Sequence, residues 1–189
     1  MKKWLFNPFI YIAGARSLIF GWAVMLLTAF IGHFNKVHFD GVIDLHSGRE
    51  TPIWFYFADQ FIDWGCATLV FYIAGRIFSR SSVRLIDVAG TMALARWVWI
   101  IAVIIDVCFI PSLPENGSIQ DIINSIGFVF IVGAFLMLII LVWFVALMYN
   151  AFSISCNLKG NKATGVFIVC LLIAEIISKI IFHFILLKS

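Results

Sequence analysis

Five apolar runs, at residues 15–34, 54–78, 86–110, 126–152 and 164–187, constrain this chain more than any motif in it. A hydrocarbon core of roughly 30 Å is crossed by about 20 helical residues, and each run meets that length. Lipid has to be the solvent for such a sequence. It is 63% hydrophobic and 12% charged, whereas an average soluble domain is about 45–50% apolar and about 25% charged. A globule of 189 residues has too much surface to hide that excess inside. The expectation is an all-α, polytopic transmembrane bundle of five spans, forming a single membrane domain over residues 1–189.

Between the runs stand residues with turn chemistry: Asp40-Gly41, Ser47-Gly48, residues 79–82, 111–117 and 157–161. The N-terminal Met1-Lys2-Lys3 precedes apolar residues as in a signal peptide. Asn7-Pro8 and Arg16 interrupt the run before an apolar core can form, so residues 1–14 read as an interfacial segment. Trp4, Phe6, Phe9 and Tyr11 are expected at headgroup level there. Cys66, Cys108, Cys156 and Cys170 show no close spacing, and neither a disulfide nor a cysteine metal site is expected.

Lys and Arg set the orientation. With the N-terminus inside, the cytoplasmic side holds Lys2, Lys3, Arg16, Arg76, Arg80, Arg84, Lys159 and Lys162, against Lys36, Arg49 and Lys188 outside. The N-terminus is therefore expected in and the C-terminus out, in a bacterial cytoplasmic (inner) membrane. The net charge of +3 is sorted by side rather than gathered into a patch, so nucleic acid is not an expected partner. The lipid bilayer, a second copy or another membrane protein is.

Charges inside a span are costly, about 2.5–3.5 kcal/mol each on insertion scales, and need partners or a wet cavity. Asp63, Arg96 and Glu175 fall near the middle of their runs, Lys179 follows Glu175 by one helical turn, and Asp59 precedes Asp63 by one. Asp63, Glu175, Arg96 and Lys179 are expected to neutralise one another between the second, third and fifth spans, with Asp59 and Asp106 nearer the outer ends. Such a network either selects the helix packing or marks a path for an ion or proton. The fourth span has no ionisable group from Phe128 to Met148 and is expected to face lipid.

The first outer loop places His38, Asp40, Asp44 and His46 at even positions. In an extended chain they would share one edge, and a break at Asp40-Gly41 would give a hairpin. His33 and His183 reach the same side. Imidazole with carboxylate suits zinc or a similar divalent metal, with His38, Asp40, Asp44, His46 and His183 as candidate ligands. The alternative is a hydrogen-bonded rim that satisfies the loop backbone and helix ends. No GxSxG, HExxH, phosphate-binding loop or dinucleotide glycine pattern is present. A membrane hydrolase would need a Ser, His and Asp set at one depth, for which His33, His183, Asp63 and Ser178 are the available residues.

Three stretches, Asn7-Pro8, Ile86-Asp87-Val88-Ala89-Gly90-Thr91-Met92-Ala93-Leu94-Ala95-Arg96 and Phe152-Ser153-Ile154-Ser155-Cys156-Asn157-Leu158-Lys159-Gly160, resemble prokaryotic members of the Yip family of Ypt/Rab-interacting membrane proteins. The resemblance spans nearly the whole chain and implies the same five-span plan. Eukaryotic relatives of that type act in vesicle traffic and bind prenylated small GTPases. A long cytoplasmic N-terminal region and a DLYGP-type motif are missing here, so GTPase binding does not carry over. Gly90, Thr91, Ala93 and Ala95 are small residues that permit close helix contact near Arg96. The functional expectation is a non-enzymatic membrane scaffold or accessory protein. A small transporter or channel, for a divalent metal ion entering at the outer His and Asp residues, is the alternative.

Overall fold

The computed structural model describes residues 2–47, 50–110 and 127–186, and of residues 2, 3, 185 and 186 the backbone. The expected turn at 111–117, the start of the fourth span at 126, the end of the fifth at 187, Gly48, Arg49 and Lys188 lie outside the described residues, as do the side chains of Lys2 and Lys3.

A short helix α1 (Lys2–Phe6) and a 3-10 turn (Pro8–Ile10) lead into α2 (Gly14–Asn35). Two paired strands, β1 (Val37–His38) and β2 (His46–Ser47), precede α3 (Ile53–Phe78). The third span is α4 (Leu85–Ala95), a 3-10 turn (Arg96–Val98) and α5 (Trp99–Phe109) in one continuous rod. Then come α6 (Phe128–Ser155) and α7 (Gly160–Leu186). Among the described residues, five helices are long and apolar enough to cross a membrane, as in an integral membrane protein. Their limits fall close to the five apolar runs, because hydropathy and turn residues fix both.

The helix ends follow backbone chemistry. Lys36 closes α2 in the left-handed region with φ 57°, its N–H returning to the Gly32 carbonyl. Pro52 caps α3, where its missing N–H costs nothing. Asn157, at φ 49°, turns the chain after α6.

The third span is the hub, with 61% of its most apolar window buried, and α2, α3 and α6 pack around it. Small residues let α2 approach it. A Cβ added to Gly21 would collide with the Ala93 backbone, one added to Gly90 would meet the Gly14 carbonyl, and Ser17 Oγ donates to the Gly90 carbonyl at 2.8 Å. The mid-span 3-10 turn sits at Arg96 and brings that residue to α3. α7 packs chiefly on α3. Phe71 ties α3 to α6 and α7 through Phe152 and Phe167, at ring distances of 5.1 and 5.4 Å. With 17% of its window buried, α6 presents most of its surface outward, in keeping with the expected lipid-facing fourth span.

α1 lies along α6, where Trp143 Nε1 donates to the Leu5 carbonyl at 2.9 Å and Asn150 Nδ2 to the Phe6 carbonyl at 2.8 Å. These bonds satisfy carbonyls that a helix end leaves open. Trp4 and Tyr11 stack at 4.7 Å and are half-exposed, but Phe9, expected at headgroup level, is 1% exposed and belongs to the core. The Pro8–Ile10 turn is what rotates it inward.

Candidate functional site

The segment between α2 and α3 does not lie over the end of the bundle; it folds back into it. β1 and β2 pair antiparallel, Val37 opposite Ser47 and His38 opposite His46. The hairpin closes through residues 39–45, not through a tight turn at Asp40-Gly41. The reason is apolar: Val37, Phe39 and Val42 are fully buried, and Phe39 packs on Trp99 with ring centroids 5.4 Å apart. Trp99 stands ten residues from the end of α5, about 15 Å along the helix. A Cβ at Gly41 would run into the Glu175 carboxylate, so glycine permits the approach.

Backbone drawn this far into an apolar bundle must have its N–H groups satisfied by protein. Carboxylates do this. Asp59 Oδ2 accepts from His38 Nδ1 at 3.0 Å and from the Phe39 N–H at 3.5 Å. Glu175 Oε2 accepts from the Ile43 N–H at 3.0 Å. Asp44 pairs with Lys179 at 2.5 Å, and Lys179 Nζ also stands 3.6 Å from Glu175. Asp40 holds His46 at 3.2 Å, and Ser47 bonds Asp106. Thr51 Oγ1 is 3.3 Å from His38 Nε2, and the His38 ring stacks on Tyr56 at 4.1 Å and on His46 at 5.7 Å. The hydrogen bond to His46 holds the Asp40 carboxyl below its ordinary range, against the opposing effect of burial. The same bond raises the His46 imidazole.

A second cluster lies deeper. Arg96 Nη2 donates to Asp63 Oδ2 at 3.3 Å, Arg96 Nε to Gln60 Oε1 at 3.2 Å, and Ser178 Oγ to Asp63 Oδ1. Arg96 is 2% exposed and Asp63 0%. Asp63 sits ten residues into α3, about 15 Å from its start.

The expected four-membered network divides into two neighbouring pairs. Asp63 meets Arg96 and Glu175 meets Lys179 at 3.6 Å, and the second pair also serves the Ile43 N–H and Asp44 of the infolded segment. Asp59 and Asp106 likewise tie down the segment. The expected metal ligands are also separated: His38 goes to Asp59, His46 to Asp40 and Asp44 to Lys179, while His183 stands beside Phe184. Among the described residues, no group of three or more His, Cys, Asp or Glu side chains is placed to hold a metal ion. Of the possible hydrolase residues, Ser178 reaches Asp63, but His33 packs on Tyr56 and His183 on Phe184.

Sequence reasoning missed Gln60 and the infolding itself. The available signal was Val37, Phe39 and Val42, three apolar residues in a loop between polar ones, together with Gly41. Comparison with protein-family models, curated proteins and solved structures finds no match to this chain.

Proposed function

We infer that this chain is a non-enzymatic integral membrane scaffold or accessory protein of the Yip-like type, with its N-terminus in the cytoplasm of a bacterial inner membrane. The observation that carries this reading is the closed state of the central polar cluster. Arg96, Asp63, Gln60 and Ser178 are all buried and bonded across three spans, an arrangement that fixes helix order. The infolded segment adds rigidity, since it is bonded to α3, α5 and α7. Such a body can present its basic end and its lipid-facing helices to a second copy or to another membrane protein. The basic residues Arg76, Arg80, Arg84, Lys159 and Lys162 are exposed at one end, which supports that end as cytoplasmic.

A small transporter or channel for a divalent cation is the competing reading. The half-exposed Asp40, Asp44, His46 and Lys179 favour it, as polar groups that could receive an ion at the other end. Two measurements separate the readings. Cross-linking in intact membranes, read by mass spectrometry, is expected to recover the chain in a fixed stoichiometric assembly. Proteoliposomes are expected to pass protons, Zn2+ and Mn2+ no faster than empty vesicles; flux above that background, abolished by Asp63→Asn, would overturn the scaffold reading.

A further inference from the structure

Thr51, His38 and Asp59 stand in a hydroxyl, imidazole and carboxylate series where the infolded segment meets the start of α3. Asp59 Oδ2 is 3.0 Å from His38 Nδ1, and Thr51 Oγ1 is 3.3 Å from His38 Nε2. The two contacts use opposite ring nitrogens. An ionised carboxylate only accepts, so the neutral form of the ring carries its proton on Nδ1 and turns the Nε2 lone pair to the hydroxyl. Nucleophile, base and orienting acid follow one another in this order wherever a weak hydroxyl is activated by an imidazole.

Packing holds the series in place. His38 is 2% exposed and Asp59 0%. The imidazole stacks on Tyr56 at 4.1 Å and meets the Phe55 ring edge at 5.9 Å, while the Phe39 N–H donates to Asp59 Oδ2 at 3.5 Å. Thr51 is half-buried, so of the three groups the hydroxyl is the one that an incoming molecule reaches. Two residues on, α3 begins, and N–H groups in the first turn of a helix have no intrahelical partner. Those of Ile53 and Trp54, at the positive end of a 26-residue helix, suit an oxyanion forming beside Thr51. The Ile53 and Trp54 side chains are 44% and 51% exposed, an apolar surface next to Thr51 on which an alkyl chain from the lipid can lie.

We propose that Thr51 is an acyl-acceptor site, modified by a long-chain acyl thioester that reaches it from the bilayer. Thr51 Oγ1 attacks the thioester carbonyl carbon as its proton passes to His38 Nε2. The C–S bond then breaks, and the imidazolium gives that proton to the departing thiolate. The products are an ester on Thr51 and a free thiol, and the step is redox-neutral. A thioester is the donor because transfer of its acyl group to an alcohol runs downhill, whereas transfer from an amide runs uphill. One acyl group per chain is a modification and not turnover, so the proposal goes beyond the scaffold reading and does not depend on it.

The test uses the full chain in nanodiscs of zwitterionic lipid, incubated with the decanoyl thioester of N-acetylcysteamine. Peptide mass spectrometry reads the position and rate of acylation, with the exposed Ser82 as internal reference. Thr51 is expected to react at least about a hundredfold faster than Ser82, and His38→Gln to slow Thr51 by a similar factor. Thr51→Ser should keep the reaction at that position and Thr51→Val should abolish it. Nitrogen NMR of His38 is expected to find the proton of the neutral ring on Nδ1. Acylation of Thr51 no faster than of Ser82, an unchanged rate in His38→Gln, or a proton on Nε2 would overturn the proposal. If His38→Gln fails to fold, the ratio of Thr51 to Ser82 and the NMR decide.

Discussion

Glu175 Oε2 accepts the backbone N–H of Ile43 at 3.0 Å, joining residues 132 positions apart in the chain. Glu175 stands eleven residues from the end of α7, about 17 Å, so this bond places the middle of the α2–α3 connection halfway down a helix. An N–H at that depth has no water to fall back on. Glu175→Gln keeps an acceptor and is expected to retain the infolded segment, whereas Glu175→Leu should release it. Hydrogen exchange at the Ile43 amide reads the difference, with protection lost by at least tenfold in Glu175→Leu.

Arg96 and Asp63 should show the asymmetry of a buried ion pair. Arg96→Leu leaves an uncompensated carboxylate and is expected to cost about 3–5 kcal/mol, seen as a lower thermal midpoint or loss of folded protein. Asp63→Leu together with Arg96→Leu should recover most of that loss, since replacing both partners removes the unpaired charge. A double variant as unstable as the single one would show that the pair acts through something besides its charge balance.

The α2 contact with the third span rests on absent side chains. Gly21→Leu would force a methyl-bearing side chain into the Ala93 backbone, and Gly90→Leu into that of Gly14. Each is expected to destabilise by about 1–3 kcal/mol or more through overpacking. Gly165→Leu, where nothing stands within 4 Å, should leave the thermal midpoint unchanged and serves as the control.

The His46–Asp40 tether has a defined pH window. His46 is raised above its ordinary 6.5, chiefly by its hydrogen bond to Asp40 and further by the charges of Asp40, Asp44 and Asp59, so its contribution is complete below 6.5 and is lost as pH rises through the higher folded value. Asp40 is lowered from 3.8, chiefly by His46 and further by Lys179, so its contribution is complete above 3.8 and is lost as pH falls through the lower folded value. The tether is therefore strongest between pH 3.8 and 6.5. Both groups are substantially exposed, which limits the effect to under about 1 kcal/mol. Subtracting the pH profile of His46→Gln from that of the wild type should leave this window.

The bundle itself was legible because hydropathy and turn residues act locally. The five runs, the little-buried fourth span and the small-residue contact near Gly90 all follow from residues read in order. The contacts of the candidate site depend on which way each helix face turns, and that was not legible. Glu175 and Lys179 are one turn apart and looked like direct partners for Arg96, but their hydrogen bonds go to the Ile43 N–H and Asp44 of an infolded segment that no local pattern announces. The alternation of His38, Asp40, Asp44 and His46 suggested a shared edge. The burial of Phe39 and Val42 instead pulls the chain inward, sending His38 to Asp59 of α3 and Asp44 to Lys179 of α7 and leaving Asp40 and His46 to each other.

The central claim is that the α2–α3 connection folds back into the bundle, burying Val37, Phe39 and Val42 there. A nitroxide on Leu45→Cys, in a Cys108→Ser background and in nanodiscs, measures this by its collision rates with oxygen and with a water-soluble nickel chelate. The account predicts high oxygen access and little chelate access at residue 45, and the reverse at Glu50→Cys, which stands at an exposed position beyond β2. Chelate access at residue 45 equal to that at residue 50 would contradict it.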